Sequence, residues 1–299
     1  MDNAAVLVFQ KLLSQIFVGL SRTTILFIVS SGMSLILGVL RIPNVAHGSL
    51  YMIGAFMAFS VSHFFGGGSQ GFWMALLIAP IGVAVLSLIA ERGIFQYLYK
   101  REHLMLLLLT FALSLILGDL VKLVWGAEYK SVPVPQLFQG HVTLFAGVPL
   151  PLYNLFLLFV GPVVAVLLWL FVNKTKIGKI SRAAAVDRDM VNAVGINVSL
   201  VFALVFVVGC LLAGLGGVLV APTVSVTLGM DHTLIMEAFL IVTIGGLGNI
   251  WGALIGALIF GLAQSLGIFI WPQFGIVFPY LAVVIVLMIK PTGLLKSTW

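Results

Sequence analysis

The sequence predicts an all-α polytopic membrane protein with about 8–10 transmembrane segments. Some of these are discontinuous helices, arranged as pseudo-repeated halves of one domain over residues 1–299. Three observations carry that prediction. Apolar residues make up 62% of the chain and charged residues only 8%, against about 25% charged in a soluble domain. The basic residues gather in short loops between apolar runs, the charge pattern of membrane topology rather than of nucleic-acid binding. Two interruptions of similar make-up, RIPNVAHGSLYMIGAFMAF at 41–59 and GGLGNIWGALIGALIFG at 245–261, fall in comparable positions of the two halves.

Residues 4–40 form one long apolar stretch that holds Lys11, Gln15, Arg22, Ser30 and Ser31. A crossing needs only about 20 residues, so this is one long tilted helix or two short ones, and the side of the N-terminus depends on which. The N-terminus, MDNAAVLVFQKLLSQ, lacks the basic start and cleavage site of a signal peptide, so the first spans are expected to serve as the targeting signal. After the polar break 41–49, an apolar run reaches Phe65 and a glycine-rich turn at 66–71. A span at 72–90 leads to the loop 91–102, which Arg92, Lys100 and Arg101 place in the cytoplasm. Residues 104–125 cross outward and include Asp119 and Lys122, three apart and able to pair on one helix face.

The proline-bearing segment 126–151 is external, and 152–172 return. Residues 198–220 cross outward again, and Asp231 and His232 fall in the next external loop. The apolar run 234–244 is too short to span alone and ends in the second interruption, whose apolar half continues to Trp271. A last span, 274–289, leaves Lys290 and Lys296 in a short tail. From Gly66 onward the external loops hold Lys130 alone, so the C-terminus is expected in the cytoplasm.

The long polar interruption, NKTKIGKISRAAAVDRDMVNAVGIN at 173–197, carries Lys174, Lys176, Lys179, Arg182 and Arg188 and is expected in the cytoplasm. Its pattern predicts a helix over 181–194: Ser181 caps the start, Ala183, Ala184 and Ala185 favour helix, and Gly195 supplies the left-handed residue that ends it. One face would carry Ala183, Val186, Met190 and Val194, with Arg182, Arg188 and Asp189 elsewhere on the surface. Such a helix suits either a solvated or lipid-surface loop or a docking element for a cytosolic partner.

Each of the paired interruptions reads as a broken helix followed by small residues. Backbone freed from helical bonds is tolerated at membrane depth only where protein or a water-filled cavity satisfies it, so the pair points to a translocation route between repeats. The alternative is two tight turns at the membrane surface, with glycines serving close helix packing.

Enzymatic chemistry finds no support. GKIS at 178–181 lacks the preceding glycine and the following hydroxyl residue of a phosphate loop, and HExxH, CxxC and GxSxG are absent. The single cysteine, Cys210, sits in an apolar run and offers neither a disulfide nor a metal cluster. Intramembrane charge is confined to Arg22, Asp119, Lys122 and Glu237. An ion-coupled secondary transporter or channel would need Asp119 or Glu237 for coupling. A structural or enzymatic membrane protein with a partner-binding loop is the remaining class.

GVLRIPNVAHGSLYMIGAFMAF, TKIGKISRAAAVDRDMVNAVGINV with LLAGLGGVLVAP, and EAFLIVTIGGLGNIWGALIGALIFGL together resemble the permease subunits of ABC importers of the branched-chain amino-acid type. The match covers nearly the whole chain in order. The compact length and the AHG signature near the N-terminus look like the shorter of that system's two permeases. The resemblance implies a multi-pass protein of the bacterial plasma (inner) membrane, importing leucine, isoleucine or valine. It implies a second permease subunit, two cytosolic ATP-binding subunits and an extracytoplasmic substrate-binding protein, with membrane lipid around the spans and no nucleic acid. No cofactor is bound by this chain; ATP and Mg belong to the partner subunits.

The resemblance turns 173–197 into a coupling loop for an ATPase, with Ser181, Arg182, Ala183, Val186, Asp187, Arg188, Asp189, Met190 and Gly195 as its coupling-helix residues. In that picture Ala183, Val186 and Met190 dock apolar surface, Arg182, Arg188 and Asp189 make rim pairs, and Gly195 fixes the exit angle. Motif position and the broken-helix reading make Asn44, His47, Ser49, Gly245, Gly246 and Asn249 the translocation candidates. The chain departs from the family pattern at Val45, where an aromatic is expected, and at Lys179, where arginine is common. Related permeases import urea, short amides or aromatic acids as well, and nothing in the residues chooses among these cargoes.

Overall fold

The computed structural model describes residues 3–41, 43–96, 103–144 and 147–296. Ile42 of the first interruption and Lys100 and Arg101 of the proposed inner loop lie outside the described residues. The chain is all-α and polytopic. Its first helix, α1, runs unbroken over Asn3–Leu40, 38 residues. At 1.5 Å per residue that is about 57 Å, nearly twice a hydrocarbon core of about 30 Å. The stretch that sequence left as one helix or two is therefore one.

The remaining helices are α2 (Ala46–Phe64), α3 (Gly68–Ala90, continued by a π-helical turn at Glu91–Phe95), α4 (His103–Trp125), α5 (Leu152–Lys174), α6 (Lys176–Val186), α7 (Arg188–Ala193), α8 (Val198–Val220), α9 (Met230–Gly245), α10 (Ile250–Ile270) and α11 (Val277–Ile289). A small antiparallel hairpin, β1 (His141–Leu144) on β2 (Val148–Pro151), pairs His141 with Pro151 and Leu144 with Val148 just before α5. Among the described residues six helices are long and apolar enough to cross a membrane alone: α1, α3 with its π turn, α4, α5, α8 and α10. The helices α2, α9 and α11 complete the bundle.

The bundle is built around α2, which is buried at every position from Ala46 to Phe56. It packs on α3, α4, α8 and α9. Its contact with α8 is backbone on backbone: a Cβ on Gly54 would lie 2.6 Å from the Gly214 carbonyl oxygen, and one on Gly217 would lie 2.2 Å from that of Tyr51. Small residues permit this approach, which supplies the packing that drives helix association in lipid. On the other side of the bundle α1 runs antiparallel to α10, with Gly19 against Ser265 and Thr23 Oγ1 donating to Ala257 O at 3.3 Å.

One helix boundary and one charge pairing in the bundle differ from the sequence expectation. The helix α9 begins at Met230, so Asp231 lies within it rather than in an external loop. Its side chain is buried at 3% exposure, and Ser49 Oγ donates to Asp231 Oδ2 at 3.0 Å. A hydrogen-bonded carboxylate in the first turn is compatible with helix, and it extends α9 beyond the apolar run. Asp119 and Lys122 are both exposed, and their pair is not among the described ion pairs. Inside the bundle, Arg22 of α1 pairs with Glu237 of α9.

Candidate coupling surface and translocation residues

The 173–197 segment folds as two helices rather than one. Thr175 caps α6, its side chain accepting from the Gly178 amide at 3.0 Å. Gly178 is needed there because a Cβ would lie 2.4 Å from both Phe171 O and Val172 O at the end of α5. Ser181, expected as the cap, is instead buried inside α6 and donates to Ile177 O at 2.7 Å. The chain then breaks at Asp187, in extended backbone, and the Asp187 side chain accepts from the Met190 amide at 2.9 Å to start α7. An aspartate at this position offers the stronger local alternative to a continued helix. Gly195, at φ 86°, ends the segment. Removing the cap with Asp187→Ala should cost about 1 kcal/mol. Hydrogen exchange should read it as faster amide exchange over 188–193, with α8 unaffected.

The two arginines nearest the break face the chain's own helix ends. Arg188 Nη2 donates to Leu40 O, the last carbonyl of α1, at 3.1 Å, and Arg41 Nη2 donates to Ala185 O near the end of α6 at 3.0 Å. Arg188 thus sits at the negative C-terminal end of α1 and Arg41 at that of α6, each satisfying an orphan carbonyl. Arg188 also lies 4.8 Å above the Phe202 ring of α8, a cation–π contact. Arg182 Nη1 donates to Asn173 Oδ1 at 2.7 Å. The resemblance implies rim pairs with a partner for Arg182, Arg188 and Asp189; here the described contacts of the two arginines lie within the chain, while Asp189 is exposed.

What this anchoring leaves outward is apolar. Val186 is 77% exposed, Met190 68% and Val194 74%, and Ala183 is exposed beside them. Their neighbours Ala184, Ala185 and Val191 are buried. The segment therefore presents an apolar row on a basic stretch, held to the end of α1 by two arginines.

The translocation candidates separate into two settings. After Leu40 the chain takes Arg41 at φ 59°, then doubles back along α1, so that His47 at the start of α2 reaches Val29 O through Nε2 at 3.0 Å. Asn44 and His47 are buried, and both amide atoms of Asn44 and Nδ1 of His47 have no hydrogen-bond partner among the described residues. Ser49 joins Ser114 Oγ of α4, 2.9 Å away, to Asp231 of α9. The first interruption thus places unsatisfied polar groups inside the bundle.

The second interruption is a tight helix–turn–helix. A Cβ on Gly245 would lie 2.2 Å from Gly252 O, and Gly246, at φ 105°, meets Leu295 O. Asn249 caps α10 through Oδ1 to the Gly252 amide at 2.9 Å and donates from Nδ2 to Lys296 O at 2.7 Å. The C-terminal tail closes the turn through the Leu294 amide on Ile244 O. These contacts give Gly245, Gly246 and Asn249 packing and capping work, and Gly245, Gly246 and Asn249 are not gathered with Asn44, His47 and Ser49 by any described contact.

Missed by the sequence reading as a pair, Arg22 Nη2 binds Glu237 Oε1 at 2.9 Å and Oε2 at 3.1 Å. The two residues were each visible as charges in apolar runs, but 215 positions separate them and no local spacing links them.

Residues 15–289 match the family described as branched-chain amino acid transport system / permease component. The chain is 27% identical over 305 residues to the high-affinity branched-chain amino acid transport system permease protein LivH of Escherichia coli (strain K12), covering 96% of each chain. It is 27% identical over 292 residues to the corresponding protein BraD of Pseudomonas aeruginosa, covering 95% of each. The guanosine ABC transporter permease protein NupQ of Bacillus subtilis is 28% identical over 239 residues, covering 76% of this chain and 73% of that one.

Proposed function

The chain belongs to the family of permease components of branched-chain amino acid transport systems, and from that premise we propose that it forms half of the translocation pathway of an ATP-driven importer of leucine, isoleucine and valine. It is a multi-pass membrane protein and a transport subunit rather than an enzyme. In the proposed assembly it pairs with a second permease, takes substrate from an extracytoplasmic binding protein and rests on two cytosolic ATP-binding subunits, which hold the ATP and Mg. The membrane is the bacterial inner membrane, with the α6–α7 segment and the C-terminus in the cytoplasm. In the proposed topology α1 crosses once with its far end at this segment, an arrangement that the Arg41 and Arg188 contacts support, and the N-terminus is on the opposite side.

The observation that carries this reading is the exposed row Val186, Met190 and Val194 on α6–α7. These three side chains form an exposed apolar row on a basic segment, and an ATPase groove would bury them for about 1.5–3 kcal/mol each. Movement of the ATPase pair would be transmitted through the Arg188–Leu40 and Arg41–Ala185 contacts to α1 and hence to the start of α2. Ion-coupled carriage through Glu237 would need its carboxylate free, whereas Arg22 holds both of its oxygens.

The test is uptake in proteoliposomes that hold the full complex with its binding protein. Labelled leucine should accumulate with MgATP inside and not with an ion gradient alone. Accumulation driven by an ion gradient without ATP would overturn the reading, and import of urea, short amides or aromatic acids in place of leucine would overturn its substrate.

A further inference from the structure

We infer that the cavity around Arg22 and Glu237 is a transit station for a zwitterionic α-amino acid with an apolar side chain, an inference that rests on the importer reading above. The cavity measures about 230 Å³ and lies where α1, α2, α5, α8 and α9 converge. Val220 at the end of α8 and Asn154 at the start of α5 line it, so it sits toward the end of the bundle remote from α6–α7. It is smaller than the ~300–1,000 Å³ of sites for drug-sized ligands, a scale suited to one amino acid.

Both charges face this space. The Glu237 side chain is 6% exposed and that of Arg22 is 41% exposed. Among the described residues the hydrogen bonds of Arg22 all leave from Nη2, and its Nε is buried without a partner. Ion pairs inside a membrane bundle are expensive, and an apolar pair of similar volume is often the more stable choice, so a pair open to a cavity points to a task. A zwitterion matches it charge for charge. Its carboxylate takes the guanidinium of Arg22, with a bidentate geometry that suits arginine, and its ammonium takes the oxygens of Glu237. One ion pair becomes two, and no net charge is carried into the bundle. Beside the polar groups of Ser21, Tyr51, Asn154 and Thr223, the side chains of Ile25, Leu26, Leu157 and Leu234 give the cavity apolar wall that would receive an aliphatic side chain.

The discriminating experiment uses the full complex in proteoliposomes and a diazirine analogue of leucine as photoprobe. The probe is expected to label residues 18–26 and 231–240. Excess L-leucine should abolish labelling, whereas 4-methylpentanoate, which lacks the ammonium, and L-leucinamide, which lacks the carboxylate, should protect at least tenfold less well. A single neutralised partner leaves a buried lone charge and can misfold, so the test variant is Arg22→Gln with Glu237→Gln, alongside the charge-retaining Arg22→Lys. The double variant, checked for an unchanged elution profile, should lose labelling and import at least tenfold, and Arg22→Lys should retain more of both. A folded double variant that imports leucine at the wild-type rate, or protection by 4-methylpentanoate equal to that by leucine, overturns the station and leaves the importer standing. Absence of MgATP-driven leucine import by the wild-type complex overturns the importer reading and the station with it.

Discussion

Gly217→Val should leave no folded protein in the membrane. The Cβ it introduces would stand 2.2 Å from Tyr51 O and 2.8 Å from the Ala55 amide nitrogen, both backbone atoms of α2. Backbone in the middle of a packed helix cannot turn aside as a side chain can, so relief requires α2 and α8 to separate. That parting would also undo Gly54 against Gly214, where the approach is 2.6 Å to the carbonyl oxygen. Overpacking of a core typically costs 1–3 kcal/mol; a clash at the crossing around which the bundle is built belongs at about 4 kcal/mol or beyond. Detergent extracts of the variant should show aggregate in place of a monodisperse peak. Gly118→Ala, on a stretch of α4 where an added Cβ meets nothing within 4 Å, should behave as wild type. A monodisperse Gly217→Val protein would contradict the α2–α8 packing.

Much of the bundle is legible in the residues because lipid imposes so narrow a grammar. The span at 198–220 coincides with α8, since Asn197 caps its start through the Leu200 amide and nothing polar interrupts the run. The boundary at 40 is equally plain, as Pro43 and Asn44 cannot continue a helix there. What the residues hide depends on competition or on distance. Thr175, Ser181 and Asp187 are all competent N-caps, and the alanine run favours helix through all of them; tertiary packing of Ser181 against the bundle decides in favour of the outer two. Asp119 and Lys122 have the spacing of a pair, yet both side chains are exposed and no ion pair between them is among those described.

On α6–α7, the apolar row was readable from helical spacing and persists as exposed residues although the helix breaks in its middle. The anchoring of Arg188 on Leu40 and Arg41 on Ala185 was not readable, because each contact joins residues more than 140 positions apart. Of the two interruptions, the sequence shows the glycines of each and Pro43 of the first, but not that one encloses the Asn44 amide and His47 Nδ1 without partners among the described residues while the other is closed by the C-terminal tail.

The second large effect is expected at the docking row. Val186→Asp with Met190→Asp changes two side chains that are 77% and 68% exposed, so the fold should not register it. Losing the burial of both would forfeit about 3–6 kcal/mol of association, and two new carboxylates facing an apolar groove add a desolvation cost. At 1.4 kcal/mol per decade, affinity for the ATP-binding subunits should fall about a hundredfold or more. Capture of those subunits by the tagged chain, co-expressed with the second permease, therefore addresses the central claim most directly. The wild-type chain should retain the ATP-binding subunits through purification, and the double variant should lose them while its elution profile and melting temperature stay unchanged. A folded double variant that retains them at the wild-type ratio would contradict the assignment of α6–α7 as the coupling surface.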